Sequence, residues 1–255
     1  MKLKKIHIKR EIKIVVLTVL AFSAIALTEK KEDQRTCNAI HIDIDNIEGN
    51  HYLDNNDIYQ LMTSDESDFV LGSFYNRIDL RTIEDRIAEN KYINSAEVHT
   101  DYRGNLNLKI TLRIPIARIV LNGTTDMYLD QSGNLFPVSD RYTSRVLLIS
   151  GNQTEVLAKE GFDGSKVNRD LLKLIQFIHA SEFWYAQISQ CDINSKGEIT
   201  MYPMVTKQSI EFGKPENIEK KFQKLEIFYK RILPGKGWNF YSRVNIQYKD
   251  QIICE

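Results

Sequence analysis

The fourteen residues from Ile14 to Leu27 carry no charge, and the thirteen before them hold Lys2, Lys4, Lys5, Lys9, Arg10 and Lys13, with His7, against one acid, Glu11. A basic flank ahead of an apolar run keeps the N-terminus in the cytoplasm. Glu29, Lys30, Lys31, Glu32 and Asp33 close the run. Counted from Ile12 to Thr28, with Lys13 snorkelling toward the headgroups, a helix here is roughly 26 Å long against a hydrocarbon core of about 30 Å. Two readings fit. One is a single transmembrane helix at 14–28 behind a cytoplasmic tail at 1–13; the other is a signal peptide cleaved after Ala24-Ile25-Ala26. Both export the remainder.

That remainder is long enough for two folded units, each with a core. The 34 Lys plus Arg of the 255-residue chain are balanced by 34 Asp plus Glu. The balance removes the positive field that nucleic-acid binding needs, so no nucleic acid is expected as a partner. Cys37, Cys191 and Cys254 are widely separated and have no C-x-x-C spacing, which points to neither a zinc site nor a dense disulfide framework. Their spacing leaves open whether Cys191 pairs with Cys254.

Residues 29–37 read as a polar linker. Beyond it Ile40, Ile42, Ile44 and Ile47 alternate with His41, Asp43 and Asp45, the period of a half-buried strand. The acids fit a solvated strand face, since the order of an EF-hand loop is absent. Asp54-Asn55-Asn56-Asp57 reads as the cap and first turn of a helix carrying Ile58, Leu61 and Met62. Ile78, Leu80, Ile83 and Ile87 recur at helical spacing. After Asn90 the period becomes two: Ile93, Ala96 and Val98, a turn at Arg103-Gly104-Asn105, then Leu106, Leu108, Ile110 and Leu112. Residues 38–114 are thus expected to run strand, helix, helix, strand, strand.

Pro115 opens a second domain over 115–255. Strands are expected at 118–121, 127–130, 134–137 and 146–150, with Asp130-Gln131-Ser132-Gly133 as a hairpin turn in which Ser132 serves the turn and not nucleophilic chemistry. A helix over 166–183 carries Val167, Leu171, Leu174 and Ile178, and strands follow near 186–193, 199–202 and 209–212. Pro215 is placed to open a second helix, with Glu216 and Glu219 in its first turn. Its stripe of Ile218, Phe222, Leu225, Tyr229 and Ile232 packs on the sheet or forms a coiled-coil seam. The fold class is α+β: a transmembrane helix, a β-α-α-β-β domain, and a mixed or antiparallel sheet domain with two helices. In a last strand Val244, Ile246 and Tyr248 face one way and Arg243, Asn245, Gln247 and Lys249 the other, with little chain left to cover it. It is either an edge that receives a partner strand or one protected by its charges.

No arrangement of residues points to an enzyme. His7, His41, His51, His99 and His179 form no H-E-x-x-H pair, and the chain lacks G-x-S-x-G, S-x-x-K, Walker and G-x-G-x-x-G patterns. No cofactor and no small-molecule substrate is expected.

The β-α-α-β-β order is similar to that of the POTRA module. Ile93-Asn94-Ser95-Ala96-Glu97-Val98, then Gly104, Leu106, Leu108 and Ile110, then Arg113-Ile114-Pro115-Ile116-Ala117, resemble the pattern of the bacterial division family FtsQ, also called DivIB. Tyr128-Leu129-Asp130-Gln131-Ser132-Gly133-Asn134-Leu135-Phe136-Pro137 is similar to that family's hairpin, and Val244-Asn245-Ile246-Gln247-Tyr248 with Gln251 to its last strand. The chain departs from the pattern at Leu112, where the family often has Glu before its Arg-x-Pro-x-Ala signature.

The resemblance implies a POTRA domain at 38–114 and an FtsQ-type β domain at 115–255 in a non-enzymatic, single-pass scaffold of the divisome. Its place would be the inner membrane at the division septum, with the N-terminus cytoplasmic and the C-terminal domains periplasmic. The implied partners are small coiled-coil proteins of the FtsB and FtsL type, through which the family regulates septal peptidoglycan synthesis. Carried over, Val244, Ile246, Gln247, Tyr248, Lys249 and Gln251 form the partner-binding strand, with Phe222 and Tyr229 nearby. The alternative is a POTRA-containing secretion or outer-membrane assembly factor, whose usual membrane β-barrel this chain has too few alternating strands to build. A cleaved periplasmic enzyme is a third reading.

Overall fold

The computed structural model describes residues 15–23, 35–45, 49–63 and 70–255. The expected tail at 1–13, most of the linker and the two ends of the segment at 14–28 lie outside the described residues. Residues 15–23 are helical, and Val15, Val16, Leu17, Val19, Leu20 and Phe22 are each more than half exposed. Among the described residues no helix is long and apolar enough to cross a membrane.

The chain divides into two compact units, one of residues up to 45 with 53–111, the other of 46–52 with 112–255. In the first, β1 (Ala39–Asp45), α1 (Asn55–Met62), a 3-10 turn (Tyr75–Arg77), α2 (Leu80–Ala88), β2 (Ile93–Thr100) and β3 (Asn105–Leu112) follow in the expected order. Helix α1 starts where the polar run predicts it. Asp54 Oδ1 accepts from Asn56 N–H at 2.8 Å and Asp57 N–H at 3.0 Å, and Asp57 Oδ2 accepts from Asp54 N–H at 2.8 Å. This reciprocal box satisfies N–H groups that the helix cannot. Asp79 caps α2 one way only, its Oδ1 accepting from Arg81 N–H at 3.1 Å and Thr82 N–H at 3.2 Å. The sheet order is β1-β3-β2, with β1 parallel to β3. Leu106, Leu108, Ile110 and Leu112 of the central strand are buried, as are Ile58, Met62, Ile83 and Ile87 of the helices.

The second unit holds β4 (Pro115–Ile119), β5 (Met127–Asp130), β6 (Leu135–Pro137), β7 (Leu147–Gly151), α3 (Thr154–Glu160), α4 (Lys166–Ala180), α5 (Glu182–Gln187), β8 (Ile188–Ile193), β9 (Ile199–Pro203), β10 (Ser209–Gly213), α6 (Ile218–Ile227), β11 (Arg243–Asn245) and β12 (Ile253–Cys254). Helix α6 runs on through a π turn, Phe228–Ile232, into a last short turn, Leu233–Lys236. The nine strands form one mixed sheet, β12-β11-β10-β9-β8-β7-β4-β5-β6. The pairs β4/β7, β7/β8 and β10/β11 are parallel. A parallel pair requires a crossover, here α3–α5 between β7 and β8 and α6 between β10 and β11. One core joins Ile119, Ile149, Cys191, Met201, Ile210, Phe212 and Val244 of the sheet to Leu171, Leu174, Ile178, Phe222, Leu225 and Phe228 of the helices.

Three expectations need correction. There are more than two helices, because Ser181 ends α4 and its hydroxyl accepts from Trp184 N–H to start α5. Helix α3 has no apolar periodicity long enough to have been read. Val167 is exposed; its neighbour Asn168 is buried instead, donating to Gly161 C=O at 2.9 Å. Pro215 stands before α6, which begins at Ile218 behind Asn217 in a left-handed conformation with φ 53°. The stripe of α6 packs on the sheet, and the π turn buries both Phe228 and Tyr229 by adding a residue to that turn.

On the opposite face of the sheet, Tyr128 and Phe136 pair across β5 and β6. Tyr52, from the segment counted with this unit, covers them at ring distances of 6.1 and 6.2 Å. Its hydroxyl meets Ser144 Oγ at 2.5 Å, and Ser144 N–H donates to Tyr128 OH at 2.9 Å. Removing this ring is predicted to cost a core residue's worth of stability. In equilibrium denaturation of the full chain, Tyr52→Ala loses about 3–5 kcal/mol and Tyr52→Phe about 1 kcal/mol.

Candidate functional site

The two sheets have four outer strands among the described residues: β1, β2, β6 and β12. An outer strand carries unpaired main-chain groups unless its sequence blunts it. Strand β1 shows His41 and Asp43 to solvent, and β2 shows Glu97 and His99. Val98 N–H of β2 is already taken by Glu84 Oε2 at 3.1 Å. Strand β6 ends in Pro137, which has no N–H to offer. Strand β12 has none of these protections.

The direction of its free groups follows from its pairing. Arg243 and Glu255 exchange both main-chain hydrogen bonds, at 3.1 and 2.9 Å, while Val244 stands opposite Cys254 and Asn245 opposite Ile253. In an antiparallel pair the bonded and non-bonded positions alternate. Cys254 therefore points its N–H and C=O away from the sheet. Beside it, Arg243 makes a fork to Glu211 at 2.5 and 2.9 Å and reaches Glu255 at 2.9 Å, and Asn245 donates to Glu211 at 2.5 Å. Glu211 first and Glu255 second hold the Arg243 guanidinium further into its charged form. The Arg243 guanidinium beside this edge is thus engaged within the sheet.

The eight residues singled out in the sequence separate here. Strand β11 ends at Asn245, and its outer side is covered by β12, so the edge position open to it in the sequence falls to β12. Val244 and Ile246 are fully buried because their side of the strand faces the helices. Phe222 and Tyr229 are also core residues; Phe222 packs on Phe177, Trp184 and Phe212 at 4.8, 4.9 and 5.6 Å. Gln247, Tyr248, Lys249 and Gln251 are exposed in the loop between β11 and β12, with Tyr248 54% accessible. Reading the sequence missed Cys254 and Ile253, which form the outer strand. It also missed Trp238 and Phe240, exposed by 51% and 65%, just before Ser242, whose N–H donates to Glu255 C=O. Two aromatics in the turn-rich run Gly235-Lys236-Gly237-Trp238-Asn239-Phe240, where no periodicity assigns them to a core, were the available signal.

Two lysines of α6 serve the main chain at this end of the sheet. Lys221 is buried and donates to Phe212 C=O at 2.8 Å and Lys214 C=O at 2.7 Å, with its ammonium 4.5 Å from the Phe212 ring centre. Lys224 donates to Ile246 C=O and Tyr248 C=O, both at 2.6 Å. Burial pulls the Lys224 pKa down, opposed by Asp250. All three cysteines are free thiols. Cys191 lies four strands from Cys254, about 19 Å, and burial with the Asp192 charge pushes its thiol up to about 12. A groove of about 620 Å³ lined by Arg118, Arg145, Leu148, Tyr185, Ile188 and Met204 lies elsewhere on the unit. Arg118 there is committed to Asp126 at 2.7 Å, and Tyr185 OH to Arg145 C=O at 2.7 Å. Among the described residues no cluster of His, Cys, Asp and Glu is placed to hold a metal.

Comparison with known proteins bears on both units. Residues 114–255 match the family described as FtsQ/DivIB, C-terminal related, and residues 35–111 match the POTRA-like domain. The chain is similar to the cell division protein FtsQ of Geotalea daltonii, 23% identical over 178 residues, covering 69% of this chain and 63% of the relative. It is similar also to that of Syntrophotalea carbinolica, 26% identical over 185 residues, covering 71% and 64%. The matched region is thus a little under two thirds of the relatives' own length.

The buried lysine yields a pH prediction. Burial first and Lys224 second pull Lys221 from its ordinary 10.5 to about 8, against Glu216. Between those values the unfolded chain holds a proton that the folded chain lacks, so stability rises with pH across that window. Urea denaturation across that range should show this rise in the wild type relative to Lys221→Met, which lacks the group.

Proposed function

We propose that this chain, which belongs to the FtsQ/DivIB family, is a membrane-anchored scaffold of the bacterial division machinery that captures a partner by adding the partner's strand to β12. A divisome role follows from the family and from two relatives named cell division protein FtsQ. The observation that carries the strand-addition reading is the outward pair of main-chain groups on Cys254, on the one outer strand among the described residues without charge, proline or side-chain capping. Main-chain pairing supplies affinity, and the alternating side chains beside it supply specificity. On this reading Ile253 and Tyr248 line the incoming strand along β12, and Trp238 and Phe240 offer apolar contact at the Glu255 end.

The partner fits the small coiled-coil proteins of the FtsB and FtsL type that the family resemblance implies, and through them septal peptidoglycan synthesis would be regulated. The exposed apolar helical residues 15–23 support a membrane anchor, with the basic residues before them in the cytoplasm and the two units in the periplasm. A scaffold of this kind needs no catalytic group. Its chemistry is the presentation of a strand edge.

Proline at Cys254 is the sharpest test, because it removes an outward N–H while Ile253 and Glu255 keep their inward bonds. The full-length Cys254→Pro chain, solubilised in detergent, should retain its wild-type denaturation midpoint. Its capture of the FtsB-type protein should weaken roughly 10-fold or more. Undiminished capture by the folded variant contradicts strand addition at β12.

A further inference from the structure

The loop between β11 and β12 is gathered onto one side chain of α6, Lys224. Along a strand, main-chain groups two residues apart that point the same way are about 6.8 Å from one another. One ammonium, Lys224 Nζ, accepts no such spacing: it bonds both Ile246 C=O and Tyr248 C=O at 2.6 Å, so these oxygens lie no more than about 5.2 Å apart. The extended run therefore cannot continue past Ile246, which follows the last residue of β11 and still donates its N–H to Glu211 C=O on β10. Beyond it Gln247 N–H turns onto Asn245 Oδ1 at 3.0 Å, and Asp250 takes a left-handed φ of 56°. Three residues after Asp250, at Ile253, the chain enters the short return that pairs as β12.

A second residue holds the same bend from β10. Gly213 has φ 73°, and a Cβ there would stand 2.8 Å from Gln247 Cγ and 2.9 Å from Gln247 Cδ. The missing side chain leaves the space into which Gln247 packs. Lys221, one turn earlier on α6, ties down the end of β10 through Phe212 and Lys214.

We propose that Lys224 is the positioning residue of the partner-binding edge: its ammonium ends β11, folds the loop that displays Gln247 and Tyr248, and thereby sets β12 in place beside Val244. Its significance for partner capture rests on the function proposed above, but its effect on β12 does not. Lys224→Met keeps the apolar stem and removes both hydrogen bonds, so the loop relaxes toward extension and β12 loses its anchor. Lys224→Arg keeps the charge on a planar fork in place of a point and restores part of the bend. Gly213→Ala presses on the same loop from the other side and forces an unfavourable φ on the new residue.

The test is amide exchange of the full-length chain in detergent, read at Ile253 and Glu255, together with capture of the FtsB-type protein. In Lys224→Met, exchange at both positions should accelerate roughly 10-fold or more, with capture falling in parallel and partial recovery in Lys224→Arg. Gly213→Ala should move both readouts in the same direction, and Lys220→Met, an exposed lysine of the same helix, should move neither. Unchanged exchange in Lys224→Met overturns the inference, as does accelerated exchange with full capture. Accelerated exchange in a chain whose wild type captures no partner leaves the positioning role standing and contradicts the proposed function instead.

Discussion

The parallel pairing of β10 with β11 is the constraint on which the C-terminal end of this protein depends. A parallel neighbour cannot be reached by a tight turn, so the chain must cross the sheet, and α6 is that crossing. The crossing delivers Phe222, Leu225 and Phe228 to the core and carries Lys221 and Lys224 to the strand ends. With β11 parallel to β10, a reversal adds the next strand antiparallel without a further crossover, and the bend at 246–250 supplies it. The outermost position then falls to two residues, Ile253 and Cys254. A short strand held at its flanks by Arg243 and Lys224 stays ordered without being covered.

The other outer strands show what a protected edge looks like in the same molecule. Charges on β1 and β2, the carboxylate of Glu84 on a β2 amide, and Pro137 at the end of β6 each oppose pairing with a foreign strand. Around β12 the one guanidinium, Arg243, is instead bound inside the sheet by Glu211 and Glu255. Proteins manage their edges, so an edge left unmanaged beside exposed aromatics is where recognition is expected. That contrast gives the proposed function a physical basis in addition to family membership.

Much of the fold was legible because period alone decides it. The alternation at Leu106, Leu108 and Ile110 and the capping run at Asp54 specify local structure through contacts a few residues away. Helix α3 and the break at Ser181 were not legible, since short helices have too few turns to show a period and a serine signals equally well the end of one helix and the start of another. The site was half legible. The alternation in Val244-Asn245-Ile246-Gln247-Tyr248 correctly marks a strand, but its end is set by Lys224, more than twenty residues earlier. The partner of that strand, Ile253-Cys254, is too short for any pattern. Trp238 and Phe240 were visible as residues and invisible as a surface, because exposure is decided by the packing of a turn-rich segment that has no period.

The central claim is that β12 receives a partner strand through the outward main-chain groups of Cys254. Residue-resolved amide exchange of the full-length chain, free and in complex with the FtsB-type protein, tests it most directly. The account predicts that the Cys254 amide exchanges rapidly in the free chain and becomes protected in the complex, while Ile253 and Glu255, already bonded inward, change little. Protection that appears at β1, β2 or β6 with Cys254 still exchanging freely would contradict it.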